Sequence, residues 1–262
     1  MIVDRRTRLR LSSTTRFGDI RQLDSVDSTN RYLLELSRAG AAEGVVVVSD
    51  HQTAGSGRLG RTWESQPGQS LLVSVLLRPS ALPADRRHLL TAAVALAAAD
   101  ACRSTTGVEP AIKWPNDLLV DGRKLAGILA LAEGGAEGDA VVVGIGINIG
   151  WAPDGAISLQ EAVAALGVTV AGAGAGAAVD RGAVLVGLLE ALERWYGRWD
   201  QVAAAYRRRC QTVGQRIRAE LPGRVVTGWA EGLDERGRLQ VVVEGSNESV
   251  VLSAADVVHV RS

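Results

Sequence analysis

Lys113-Trp114-Pro115-Asn116-Asp117, with Lys124-Leu125-Ala126-Gly127-Ile128-Leu129 close behind it, is the stretch on which the fold turns. Ala111 to Trp114 reads as a strand, and Leu118-Leu119-Val120 runs into Asp121-Gly122, a dipeptide suited to a tight hairpin turn. Leu125 to Leu131 is the predicted return strand. Of the chain's 29 basic residues only Lys113 and Lys124 are lysines, and both fall on this hairpin. On neighbouring antiparallel strands the two can come close, so two compact ammonium charges could flank one phosphate, a role that a planar guanidinium fills differently. A hairpin with two solvated lysines is the plainer alternative.

Outward from the hairpin, apolar runs alternate with helical patterns. Val45 to Val48 and Leu71 to Leu77 have the character of buried strands, and Asp85 to Thr105 reads as a long alanine-rich helix. Asp27 to Asn30 offers N-cap residues for a helix that Gly40 would end, and residues 1–19 are basic and without period, as in a short arm or edge strand. Downstream, Val141 to Ile149 is another buried strand and Ser158 to Leu166 a short helix. Gly167 to Ala178 is a low-complexity connector, and Asp180 to Arg209 is largely helical, with Trp195, Tyr196 and Trp199 read as core packing. From Thr212 the pattern changes to short strands at 217–220, 225–229, 239–243, 250–252 and 256–260, the spacing of a small β-barrel. The expected class is α+β: a mixed or antiparallel sheet with packed helices, then the barrel. The expected division is an arm at 1–19, a main domain at 20–210 and the barrel at 211–262.

Two more motifs carry chemistry. Gln52-Thr53-Ala54-Gly55-Ser56-Gly57-Arg58-Leu59-Gly60-Arg61 combines three glycines, which let backbone approach a ligand, with two arginines suited to phosphate or carboxylate. It is no Walker loop, because no Gly-Lys-Ser/Thr follows, and taken alone a flexible basic surface loop is an equal alternative. Gly144-Ile145-Gly146-Ile147-Asn148 is no dinucleotide fingerprint either, since Ile149 stands where a third glycine is needed and no helix follows the strand. Asn148 remains suited to hydrogen-bonding a purine edge.

Composition narrows the classes. A chain of 262 residues, 47% hydrophobic and 22% charged, is an ordinary globular one, and a formal net charge of zero gives no overall pull toward nucleic acid or anionic membrane. The run Leu89 to Ala99 is too short to span a bilayer, and Cys102 and Cys210 are too few for a disulfide framework or metal site, so a cytoplasmic protein with reduced thiols is expected.

In order and content these motifs resemble the biotin–protein ligases, of the monofunctional type without an N-terminal DNA-binding domain. The loop resembles that family's Gly-Arg-Gly-Arg-x-Gly-Arg segment, and Lys113 to Asp117 with Lys124 to Leu129 matches its Lys-Trp-Pro-Asn-Asp and Lys-Leu-Ala-Gly-Ile-Leu. Gly144 to Asn148 matches its Gly-x-Gly-x-Asn, and Asp27 to Asn30 its Ser-Thr-Asn entry; the likeness runs over residues 20 to 260. It implies a class II synthetase-like, biotin/lipoate ligase fold with an SH3-like C-terminal barrel, and an enzyme that makes biotinoyl-AMP from biotin and ATP. The biotin would then pass to a lysine of a carrier domain of acyl-CoA or pyruvate carboxylases.

The resemblance also implies roles. Ser28, Thr29, Asn30 and Gln52 would hold biotin, with Ser28, Thr29 and Gln52 on its ureido ring, and Gly55, Ser56, Gly57 and Arg58 would fold over biotin and adenylate with Gly127 beside them. Arg58 and Arg61 would face phosphate, Trp63 would cover adenine, Asn148 would read it, and Asn116 would contact ATP. Lys113 would be the central electrostatic residue, with Arg58 catalytic beside it and Lys124 in support. Mg²⁺ would be held through phosphates and water rather than by a protein cage. No nucleic-acid or membrane partner is expected, and a monomer or weak homodimer fits. The chain departs from the pattern at Ser56, where the family usually has arginine, which puts the grip on biotin in question. A lipoate ligase-like acyltransferase and a catalytically weakened biotin-binding protein or regulator remain as alternatives.

Overall fold

The apolar runs form two sheets. The computed structural model describes residues 2–133, 140–168, 177–221, 223–246, 248–253 and 255–260. In chain order the first part holds α1 (Arg5–Thr14), β1 (Ile20–Leu23), α2 (Thr29–Arg38), β2 (Val46–Ser49), β3 (Ser70–Leu77) and α3 (His88–Thr106). Then come β4 (Ala111–Lys113), β5 (Asp117–Val120), β6 (Arg123–Glu133), β7 (Ala140–Asn148), α4 (Leu159–Leu166), α5 (Arg181–Trp195) and α6 (Trp199–Arg209). The C-terminal strands are β8 (Arg216–Leu221), β9 (Arg224–Leu233), β10 (Leu239–Val243), β11 (Ser249–Leu252) and β12 (Asp256–His259).

The larger sheet runs β1-β2-β3-β7-β6-β5-β4, antiparallel except for the β1–β2 pair, so the expected mixed sheet is present. Alternation along a strand sends neighbouring side chains to opposite faces. Leu71, Val73, Val75 and Leu77 of β3, with Val143, Ile145 and Ile147 of β7, join the main core with α3 and α5. Alanine suits α3 because small side chains let helices approach: a methyl on Gly187 of α5 would touch Ala101 of α3 at 3.3 Å. The other face carries Leu76 and Val142, which pack with Leu33 of α2 in a smaller cluster. Leu72, Ser74, Gly144, Gly146 and Asn148 share that second face by the same alternation.

The smaller sheet runs β11-β10-β9-β8-β12 and is antiparallel throughout, the strand content expected of the barrel, with no ladder joining β11 to β12 among the described residues. Two local expectations change. Residues 5–14 of the presumed arm are helical, because the Asp4 carboxylate caps Thr7 N at 2.7 Å and Leu11 is buried. A short β1 follows, held by its parallel pairing with β2. The long helix at 180–209 is broken at Gly197, whose φ of 86° leaves the helical range. Of the Gly/Ala connector, residues 169–176 lie outside the described residues.

Candidate active site

A cavity of about 130 Å³ lies on the second face of the large sheet, between the start of α2, the glycine loop, the Lys113–Leu129 hairpin and the start of β12. One end is polar and tightly bonded. Thr29 gives both its backbone N–H and its hydroxyl to Gln52 Oε1, at 2.8 and 2.9 Å. Asn30 donates to Leu129 O at 3.0 Å, and the Ser74 hydroxyl lies 2.7 Å from Asn30 Oδ1 and 2.8 Å from Thr29 Oγ1. Ser28 is buried at the N-cap of α2, yet its hydroxyl makes no capping bond. Glycine at 144 makes room for this network: a methyl there would sit 2.3 Å from Asn30 Oδ1.

The middle of the cavity is floored by glycine. Gly127 and Gly146 are register partners on β6 and β7, and Trp63 lies against both. The indole Nε1 is buried with no hydrogen-bond partner, and Lys124 Nζ stands 5.8 Å from the ring centroid. The Lys124 ammonium also pairs with Asp117 at 2.7 Å.

The glycine loop closes on the hairpin. Gly57 N–H donates to Arg61 O at 2.6 Å and Trp63 N–H to Gly55 O at 3.0 Å, folding residues 55–63 into a flap. Arg58 Nη1 donates to Asn116 Oδ1 at 3.2 Å, while Asn116 Nδ2 donates to Ile128 O at 2.9 Å. Asn116 therefore clamps flap to strand. Behind it, the Tyr206 hydroxyl donates to Pro115 O at 3.1 Å, and burial first of all pushes its pKa well above the usual phenol range, so it stays a neutral donor. Arg58, Lys113 and Lys124 line the one cavity, as do Ala255 and Val257 from the C-terminal part.

Residues 23–148 match the Biotin/lipoate A/B protein ligase family, and residues 212–260 match the Biotin protein ligase C terminal domain. A biotin–[acetyl-CoA-carboxylase] ligase of Mycobacterium tuberculosis is 41% identical over 254 residues, covering 92% of this chain and 90% of that one. The chain belongs to the biotin protein ligase family. The ligase of the same name from Paracoccus denitrificans is 37% identical, covering 90% of this chain and 98% of its own. Among solved structures, the Aquifex aeolicus biotin protein ligase in complex with biotin and ATP superposes with a TM-score of 0.76 at 26% identity, covering 93% of this chain and 100% of that one.

Membership in the biotin protein ligase family gives each motif a place to be checked. Ser28, Thr29, Asn30, Gln52, Ser56, Gly57, Arg58, Arg61, Trp63, Lys113, Asn116, Lys124 and Gly127 all line the cavity. Two expected residues do not. Gly55 packs against Trp63 within the flap, where a methyl would come 2.7 Å from Trp63 O. Asn148 is buried on the same face at the end of β7, outside the cavity lining; its Nδ2 donates to Ile157 O at 3.3 Å and Lys124 O at 3.4 Å, leaving Oδ1 without a partner. Motif reading missed Ser74, which sits mid-strand in an apolar run, and the contribution of Ala255 and Val257. No local signal could have found Ser74, because its register with Gly144 joins β3 to β7 across the sheet while alternation acts only along one strand.

Proposed function

We propose that the chain activates biotin as biotinoyl-AMP and transfers the biotinoyl group to a lysine of a biotin carboxyl carrier domain. The observation that carries this reading is the convergence of Lys113, Lys124, Arg58 and Arg61 on one cavity whose other end is a buried polar network. In the first step a biotin carboxylate oxygen attacks the α-phosphorus of ATP and the bond to the β-phosphate breaks, releasing pyrophosphate. Both reactants are anions, so fixed cations aimed at the junction lower the barrier by preorganisation. In the second step the carrier amine attacks the acyl carbon, AMP leaves with the bonding oxygen, and the nitrogen loses a proton. The nucleophile belongs to the partner. The flap at residues 55–63 would keep water from the mixed anhydride between the steps.

The site's chemistry fits the substrates. The ureido group of biotin needs donors and acceptors together, which Ser28, Thr29 and Gln52 supply. Trp63, which lines the cavity, offers the stacking face for adenine, whereas Asn148, buried outside the lining, holds β7 against the Lys124 and Ile157 carbonyls. Mg²⁺ would arrive with the triphosphate and supply charge neutralisation; Asp117 is the carboxylate among the described residues that line the cavity. The Ser56 hydroxyl donates to the nearby Ala54 O at 3.3 Å, and the flap still folds through backbone bonds of Gly57 and Trp63, which supports a competent enzyme despite the missing arginine.

Biotin is favoured over lipoate because residues 212–260 match the Biotin protein ligase C terminal domain. We place the domain boundary near residue 210, the reaction in the cytoplasm, and the acceptor on an acyl-CoA or pyruvate carboxylase. The test is to mix protein, ATP, Mg²⁺ and a carrier domain with biotin or with lipoate. Biotin on the carrier, with one pyrophosphate per transfer, is the expected result. Lipoate transfer instead, or biotin binding without pyrophosphate, would replace this reading.

A further inference from the structure

Lys113 sits on β4, the outermost strand of the large sheet, which is only three residues long. An edge strand leaves every other backbone group unpaired, and so short a strand has little else to fix it. Here the outer groups on either side of Lys113 are taken by the segment that leads into the C-terminal sheet. Ile112 O accepts from Gln211 N at 2.8 Å, and Trp114 N–H donates to Thr212 Oγ1 at 3.0 Å. The Trp114 indole N–H also reaches Gly237 O at 2.9 Å.

Thr212 is fully buried, and its hydroxyl is the junction. Its oxygen accepts from Trp114, so its proton needs an acceptor, and His259 Nε2 of β12 lies 3.1 Å away. Burial first, then the charge of Lys113, holds the His259 imidazole below its usual pKa and so in the neutral form that can accept. Val257, two residues earlier on the same strand, lines the cavity itself.

We propose that His259 is a positioning residue for adenylate formation, acting through the Thr212 hydroxyl and the Trp114 amide to fix the backbone that carries Lys113. The C-terminal sheet thereby sets the reach of the central ammonium group rather than merely covering the site. This inference rests on Lys113 being the electrostatic centre proposed above.

The experiment is ATP–pyrophosphate exchange by the full chain, with kcat and both KM values measured per folded molecule. Thr212→Val and His259→Leu are each expected to lower kcat about tenfold, a misplacement effect, with KM for biotin and ATP little changed. Thr212→Ser and His259→Gln should restore most of the rate. In the double variant the losses should not multiply, because both break one relay. Wild-type kcat in either single variant, or losses that multiply, overturns the proposal; if Thr212→Val does not fold, the His259→Leu and His259→Gln pair decides it. Lys113→Ala serves as the control. Exchange at the normal rate in that variant defeats the reading of Lys113, whereas a dead Lys113→Ala beside fully active Thr212→Val defeats the relay alone.

Discussion

Gly127 and Gly146 face each other as register partners across β6 and β7, and the Trp63 indole lies against both. A methyl on Gly146 would stand 2.5 Å from Trp63 Cε2, and one on Gly127 3.1 Å from Trp63 Cζ3. No staggered side chain fits beneath the ring, so the ring's height above the sheet depends on these two glycines. Gly146→Ala should therefore raise KM for ATP at least ~10-fold, about 1.4 kcal/mol, by lifting the stacking surface. Biotin binding, measured by titration without nucleotide, should barely change, and an unaltered KM for ATP would argue against Trp63 as the adenine cover.

Gly144 governs the opposite end. A methyl there meets Asn30 Oδ1 at 2.3 Å and must push apart the bonds from Ser74 and to Leu129 O. Overpacking of this kind costs about 1–3 kcal/mol of stability. Gly144→Ala is expected to show that loss in denaturant unfolding and to weaken biotin binding even without ATP. The two glycine variants should thus separate the substrates; loss of ATP binding with intact biotin binding in Gly144→Ala would reverse the assignment of the ends.

Much of this arrangement is legible in the residues. The lysines announce themselves because arginine fills the other basic positions, but the expectation that they lie on neighbouring strands fails: β5 separates them, with Lys113 opposite Asp117 and Lys124 opposite Leu119. The apolar runs mark β2 and β3 because those strands are buried at every position, on both faces of the sheet. What cannot be read is long-range partnership. Nothing local tells that Ser74 will meet Asn30, that the Lys124 and Ile157 carbonyls will hold Asn148 outside the cavity, or that Gln211 and Thr212 will complete the edge of β4. The helix at Arg5–Thr14 hides as well, because it buries a single leucine and shows no periodic apolar face.

Acid should loosen the fold earlier than carboxylate titration would. Burial first of all lowers the pKa of both His88 and His259, so the unfolded chain takes up protons near the ordinary imidazole value, about pH 6.5, while the folded chain does not. Stability therefore rises with pH through this range, is complete above it, and is lost as pH falls toward the folded pKa values. Glu161, held low by its hydrogen bonds from Ser158, adds a loss only in the carboxylate range. Urea unfolding between pH 8 and 5 should show a decline that begins below pH 6.5 and flattens in His88→Gln. A curve level down to pH 5 would count against both buried imidazoles.

Lys113 and Arg58 line the same cavity from different elements, one on a sheet edge and one on the flap. If the reaction is the meeting of two anions, removing the ammonium should slow the chemistry rather than loosen biotin. Lys113→Ala is expected to lower ATP–pyrophosphate exchange at least ~100-fold, the scale of losing one preorganised charge donor. Lys113→Arg should not restore it, because a planar fork cannot take the place of a compact charge on so short a strand. Biotin affinity measured without ATP should fall far less than the rate. Transfer from chemically made biotinoyl-AMP to the carrier should also survive better than exchange, since the acyl–phosphate junction is then already formed. Equal losses in exchange and transfer would move Lys113 from making the adenylate to holding it.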